Sequence, residues 1–407
     1  MINPKKVECF LVCALAASIF TSKPAITITA SLLVVFFILR CIYDIEYFSE
    51  LKSERLLFFP VLLFFFGVVS TIISSGSMFD AGYFAYKGLF LLTFPALILA
   101  LKNKINMKLV FFISMLGFSI SILLSFYQFY SLSIDGWHGQ RFGGLWDVQR
   151  WAEITTFVFV FLLAKLSDEL SWTKKTIINI SLMVILMSLI LSGGRAGWVA
   201  VAFVTITYML FFYRRQLIVF TVLLSVLTFS IYKMQTENVD LVINRIVSVT
   251  ETTEKDYSNY SRLLMWRNGL DFIAYNLSEN PAEFFFGVGV KRFESEYINF
   301  LDMVGDSKIL MGQTQRNYSF SDMHNAYLDS ASKLGVFYSI LFYSFLLYVI
   351  YSFSKVNQTV KVLGLILAFM ITGVFYTNYL EFQTSSLFFL VAIAYAEGKY
   401  KKVSDYV

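Results

Sequence analysis

Charge is scarce in this chain. Of 407 residues only 15% are Asp, Glu, Lys or Arg, and there are five prolines, three cysteines and two histidines, against 57% hydrophobic and 18% aromatic residues. That balance excludes an ordinary soluble domain. Cys9, Cys13 and Cys41 fall in or beside apolar runs, so neither a disulfide framework nor a thiolate metal site is expected. Two histidines without an Asp-x-Asp-type acidic cluster argue against a zinc centre or a metal-dependent sugar-transfer site, and no cofactor is expected. The formal charge of +5 does not call for a nucleic-acid partner, because loops facing the cytoplasm collect Lys and Arg.

What the chain has instead is apolar runs. About 20 apolar residues cross a hydrocarbon core of about 30 Å. Such runs recur near 7–20, 25–42, 56–74, 84–101, 109–130, 151–166, 176–191, 196–213, 217–234, 334–353, 360–376 and 384–396. The expectation is an all-α, polytopic integral membrane protein of about twelve transmembrane helices. The start, Lys5-Lys6 before an apolar run, reads as an uncleaved first helix because further spans follow at once. With the N-terminus inside, eighteen Lys and Arg, from Lys5 to Lys402, fall on the cytoplasmic side and five, Lys23, Lys87, Arg141, Arg150 and Arg195, in short outside loops. Reversing the orientation reverses that bias, so both termini are expected inside.

One long polar interval, 235–327, interrupts the apolar pattern, dividing the chain into 1–234 (spans one to nine), the outside interval, and 328–407 (spans ten to twelve and a tail). Within it Leu263, Leu264, Trp266, Leu270, Phe272 and Ile273 recur at roughly helical spacing over 258–275, predicting an amphipathic helix on the membrane surface. Asn280-Pro281 breaks that pattern, and Phe284 to Val290 reads as an apolar turn that dips back toward the bilayer.

The outside face gathers the residues that can carry chemistry. Arg195, in Leu-Ser-Gly-Gly-Arg-Ala-Gly-Trp, lies beside a span, where a charge costs about 2.5–3.5 kcal/mol to insert. Position alone allows an interfacial anchor or an anion clamp, since paired glycines permit close backbone approach and a guanidinium binds phosphate oxygens bidentately. Arg262 and Arg267 are five apart and do not share a stripe, so spacing leaves open which faces a site. Arg292 follows the glycine-containing turn, and Arg141 shares the outside face. His324, between Asp322 and Asn325 at the mouth of a span, can be oriented by a neighbour and act as a base, or be structural. His138 is a weaker candidate base. Glu153 and Glu381, near outer span ends, read as interfacial carboxylates or partners of the outside arginines.

Together these residues resemble the O-antigen ligase family, whose relatives include O-antigen polymerases and protein O-oligosaccharyltransferases. The resemblance rests on Ser-Gly-Gly-Arg195-Ala-Gly-Trp after a span, Ser-Arg262-Leu-Leu-Met-Trp, Val-Lys-Arg292-Phe-Glu-Ser and Met-His324-Asn-Ala-Tyr-Leu, in that order. It implies a GT-C-type membrane glycosyltransferase facing the periplasm from a bacterial inner membrane. The implied donor is a glycan on undecaprenyl diphosphate and the implied acceptor, in a ligase, a sugar hydroxyl of lipid A core. Carried over, Arg195 and Arg262 hold the donor diphosphate, Arg292 helps bind it or positions the loop, Arg141 is a further donor contact, and His324 activates the acceptor. A polymerase acting on lipid-linked repeat units, a transporter or flippase of a lipid-linked or anionic solute, and a membrane scaffold are the competing readings.

Overall fold

The computed structural model describes residues 3–102, 107–133, 140–168, 170–212, 257–313, 319–354 and 358–404, and all regular structure among them is helical. Among the described residues, nine helices precede the long interval: α1 (Pro4–Ser18), α2 (Lys23–Tyr43), α3 (Ile45–Ser53), α4 (Arg55–Ser75), α5 (Met78–Lys102), α6 (Met107–Ser133), α7 (Val148–Lys165), α8 (Trp172–Ser192) and α9 (Arg195–Phe211). The interval contributes α10 (Tyr257–Glu279), α11 (Pro281–Phe286), α12 (Phe293–Val304) and α13 (Ser307–Gln313). The chain continues through α14 (Ala326–Ser354), α15 (Thr359–Phe375) and α16 (Gln383–Ser404).

Six described helices are long and apolar enough to cross a membrane: Lys23–Tyr43, Arg55–Ser74, Met78–Lys102, Met107–Ser131, Trp172–Ser192 and Ala326–Ser354. The chain is an integral membrane protein. Arg195–Phe211 and Thr359–Phe375 are shorter apolar helices. Helices also stand where spans were expected at 7–20, 151–166 and 384–396, but these are shorter or carry more charge. At 1.5 Å per residue, the 15 residues of α1 reach only about 22 Å. In α7, Arg150, Glu153 and Lys165 interrupt the apolar run, which is tolerable because nearly the whole helix is buried inside the bundle. The expected span at 217–234 lies outside the described residues, as does 235–256 of the interval.

α5, α7 and the apolar half of α16 form the interior, while α2, α4, α6 and α8 turn Leu32, Leu62, Leu116 and Ile180 outward. Exposed leucines and isoleucines at that density are what a lipid-facing surface requires. At one end of the bundle, cations and carboxylates close it off: Lys165 meets Glu397 at 2.6 Å, Lys361 meets Asp168 at 2.9 Å and Glu397 at 3.0 Å, and Lys399 pairs with Glu54. The interval packs at the opposite end.

There α14 is broken. Gly335 has φ 85° and ψ 162°, a conformation open essentially to glycine alone, so the helix is a short piece ending at Leu334 and a longer one beginning at Val336. The turn after α11 docks into the break. Val288 N–H donates to Ser332 O and Gly289 N–H to Lys333 O, both at 2.9 Å, and the Ser70 hydroxyl of α4 faces the Phe286 and Leu334 carbonyls at 2.8 and 3.0 Å. The apolar turn expected at 284–290 is therefore seated on a helix break, which consumes its polar backbone groups. The amphipathic helix expected at 258–275 is α10, ended where Asn280-Pro281 requires, with Met265 and Phe272 buried in a small core with Phe293, Tyr297 and Phe300 of α12.

A Cβ at Gly335 would lie 2.2 Å from Phe285 O, whereas one at Gly82 in α5 meets nothing within 4 Å. Gly335→Ala is expected to cost at least about 1–3 kcal/mol from the backbone conformation alone. It should lower the thermal unfolding midpoint of detergent-purified protein followed by fluorescence size exclusion, with Gly82→Ala unchanged.

Candidate active site at one end of the helix bundle

The residues just before α14 form a self-stitched elbow. The Asp322 carboxylate accepts His324 N–H at 2.9 Å, Asn325 Oδ1 caps the helix by accepting Tyr327 and Leu328 N–H at 3.0 and 3.1 Å, and Met323 N–H reaches Asp329 at 3.3 Å. His324 sits at the corner with φ 47°, left-handed backbone that a non-glycine residue adopts only when its neighbours enforce it. The same Asp322 oxygen lies 3.1 Å from His324 Nδ1. An imidazole that donates from Nδ1 carries its lone pair on Nε2, the tautomer a base needs. Burial, with Arg262 and Lys333 nearby, holds the imidazole below its ordinary pKa, and Asp322 opposes them. His324 is therefore neutral at pH 7.

His324 lines a cavity of about 240 Å³ whose walls come from α5, α7, α14 and the connection between α15 and α16. On one side Glu381 bridges Lys87 at 3.3 Å and Arg150 at 3.4 Å, and Arg150 also pairs with Asp147 at 2.8 Å. On another Lys333 pairs with Asp329 at 2.8 Å, and Tyr379 OH donates to the same carboxylate oxygen at 3.1 Å. Glu153 is fully buried, accepting from Asn378 at 2.7 Å and Gln383 at 3.0 Å. Thr377 Oγ1 and Gln383 Oε1, both buried on residues that line the cavity, have no hydrogen-bond partner. Such atoms favour a ligand rich in hydroxyl groups.

Three of the four expected arginines converge on one side chain, Tyr376, at the end of α15. Arg141 Nε donates to Ser192 O at 2.8 Å, and its guanidinium is within hydrogen-bonding reach of Tyr376 with Arg195 beside it. Arg262 lies 5.9 Å from the centre of the Tyr376 ring. Burial pushes the Tyr376 phenol up, and Arg262, Arg141 and Arg195 pull it back. Burial is also the main force lowering Arg141, with Arg195 adding repulsion. Tyr376 itself lines the cavity, so the guanidiniums adjoin it through the phenol.

Local sequence explains each position. Gly193 ends α8 in left-handed backbone, and a Cβ at Gly194 would lie 2.2 Å from Ala152 Cβ of α7, so the glycine pair lets the turn press on α7 and start α9 at Arg195. Phe142 N–H donates to Leu191 O at 3.1 Å, joining the Arg141 loop to the same turn. On α10, Arg262 and Trp266 face the elbow, Trp266 Nε1 reaching His324 O at 3.4 Å. Arg267 instead projects outward toward Asp271 at 3.8 Å. Of the two arginines that spacing left open, Arg262 is the one beside Tyr376.

Arg292 is placed differently. Its guanidinium meets Glu296 at 2.9 Å, Glu283 at 3.5 Å and Ser74 O at 3.3 Å, so it ties the interval to the end of α4, while its neighbours Lys291 and Glu294 reach the cavity wall. His138 lies outside the described residues. Glu381 is the arginine partner that its position suggested; Glu153 is no interfacial group but a buried one held by amides. Tyr376 and Tyr379 carried no local signal, whereas Asp329 and Lys333, four apart where an apolar run begins, carried a pattern that would have marked them.

Residues 180–343 match the family model described as O-antigen ligase. That stretch holds Arg195, Arg262, Arg292, His324 and the α14 break; Arg141 and Tyr376 fall on either side of it. No curated protein matches the chain. Over residues 180–343, this membrane protein is similar to the O-antigen ligase family.

Proposed function

We propose that the protein is an O-antigen ligase. It moves a glycan from undecaprenyl diphosphate to a sugar hydroxyl of lipid A core, at the periplasmic face of the inner membrane. The observation that carries this reading is the gathering of Arg141, Arg195 and Arg262 around Tyr376 at a cavity that also holds a neutral, Asp322-oriented His324. The family match over residues 180–343 supports glycosyl transfer in general, and the buried unpartnered Thr377 and Gln383 oxygens suit a polyhydroxylated substrate.

The acceptor hydroxyl oxygen attacks the anomeric carbon, its proton passes to His324 Nε2, and the bond from that carbon to the diphosphate oxygen breaks with inversion. Charge then grows on the diphosphate, and guanidiniums fixed in a site shielded from water stabilise it without reorganising. Arg292, tied to Glu283 and Glu296, acts in this scheme by positioning the loop. The polyprenyl tail lies along the outward apolar faces of the bundle, and no nucleotide sugar takes part.

A lipopolysaccharide gel separates this reading from its neighbours. A deletion strain is expected to show bare core with lipid-linked polymer accumulating. Core carrying a single repeat would assign a polymerase instead, and polymer still attached to core would exclude ligation. His324→Ala should reproduce the deletion with the protein still in the membrane. Arg195→Ala and Arg262→Ala should each slow transfer about 10- to 100-fold, the loss of a charge-assisted contact of about 1.5–3 kcal/mol.

The rate should also carry the sign of the His324 shift. Because burial lowers that pKa, the base form persists below the ordinary value of 6.5. Transfer should thus hold level from neutral pH down through 6.5 and fall only at lower pH. Asp322→Asn removes the one group raising the pKa and should move that acid limb lower still. A limb that stays in place would remove His324 as the base.

A further inference from the structure

A second cleft opens on the other side of α10. Along the helix, Asp271 lies about 14 Å beyond Arg262, from nine residues at 1.5 Å each, and the cleft shares no lining residue with the cavity of His324. Its walls include Arg267, Asn268, Asp271 and Tyr275 of α10, Phe300 of α12, and Asp306. The Asn268 side chain is almost completely buried, at 1% exposure, yet its Nδ2 has no hydrogen-bond partner. Tyr297 OH is also buried without a partner, in the field of the Asp306 and Asp271 carboxylates, which with burial hold the phenol above its ordinary value. Tyr275 and Phe300 pack tilted against each other, ring centres 5.4 Å apart, as an aromatic surface beside these polar groups.

A buried amide donor in the cleft wall left unpaired is costly unless a ligand satisfies it. Here one guanidinium faces two carboxylates, so a phosphate is disfavoured. A sugar hydroxyl fits instead: its oxygen accepts from Asn268 while its proton goes to Asp271 or Asp306, and the apolar face of a pyranose lies on Tyr275. We propose that this cleft is a carbohydrate subsite that holds sugars of the glycan chain distant from the bond being made. The glycan as occupant rests on the ligase reading; the hydroxyl-binding chemistry stands on the cleft alone.

The test uses full-length protein in phospholipid nanodiscs. The probe is the water-soluble polysaccharide released by mild acid from the producing strain's lipopolysaccharide, and binding is measured by calorimetry. Wild type and His324→Ala should bind it alike. Asp271→Ala, at an exposed position, should weaken binding about tenfold, the loss of one charge-assisted hydrogen bond, and Tyr275→Ala should do likewise. Unchanged affinity in both variants would overturn the proposal, as would absence of wild-type binding, or variants that change only the retained lipid. Cleft-dependent binding together with a deletion strain that still decorates its core would retain the subsite and reject the ligase reading. Bare core in the deletion strain with no cleft-dependent binding would do the reverse.

Discussion

The architecture of this end of the molecule depends on one backbone contact: the turn at Gly287 lying against the break at Gly335. A Cβ on Gly287 would come within 2.3 Å of Lys333 O, and one on Gly335 within 2.2 Å of Phe285 O, so each glycine makes room for the other segment's carbonyl. The break leaves helical carbonyls without their usual donors, and the turn supplies N–H groups to Ser332 and Lys333 while Ser70 faces Leu334 O. Breaking a helix at membrane depth is tolerable only where the freed backbone is buried in protein and repaired in this way. The repair fixes the short first piece of α14, and with it Asp329, Lys333 and the elbow that holds His324.

Much of this was legible in the sequence because the signals were local. Apolar runs give the helices, a charge after paired glycines beside a span marks Arg195, and Asp-Met-His-Asn before an apolar run marks the elbow. What was not legible depends on docking. Tyr376 is one of many tyrosines in the chain, and nothing near it shows that the loop of Arg141, the α8–α9 turn and α10 meet there. Glu153 reads as interfacial because it lies near a span end, yet its amide partners, Asn378 and Gln383, stand more than 200 residues away. Gly335 hides inside an apolar run that hydropathy counts as one uninterrupted span.

The far end of the bundle and the arginines around Tyr376 handle positive charge differently. At the far end, Lys165, Lys361 and Lys399 each face a carboxylate at hydrogen-bonding distance, and the charges cancel in place. At the site, Arg141 donates to a neutral carbonyl and shares a neutral phenol, and Arg195 beside it raises the cost of its charge. A purely structural joint gains nothing from such an arrangement, since like charges together weaken folding. A site that must receive a dianion gains a great deal: the repulsion is already present in the folded protein and is released when the anion binds. On the ligase reading, burial keeps His324 neutral, and Arg262 of the same cluster adds to the cost of a proton on the imidazole. Departure of the diphosphate and acceptance of the hydroxyl proton are thereby coupled. As negative charge gathers beside the arginines, a protonated His324 becomes less costly, so the cluster that stabilises the leaving group also strengthens the base at the moment it is needed.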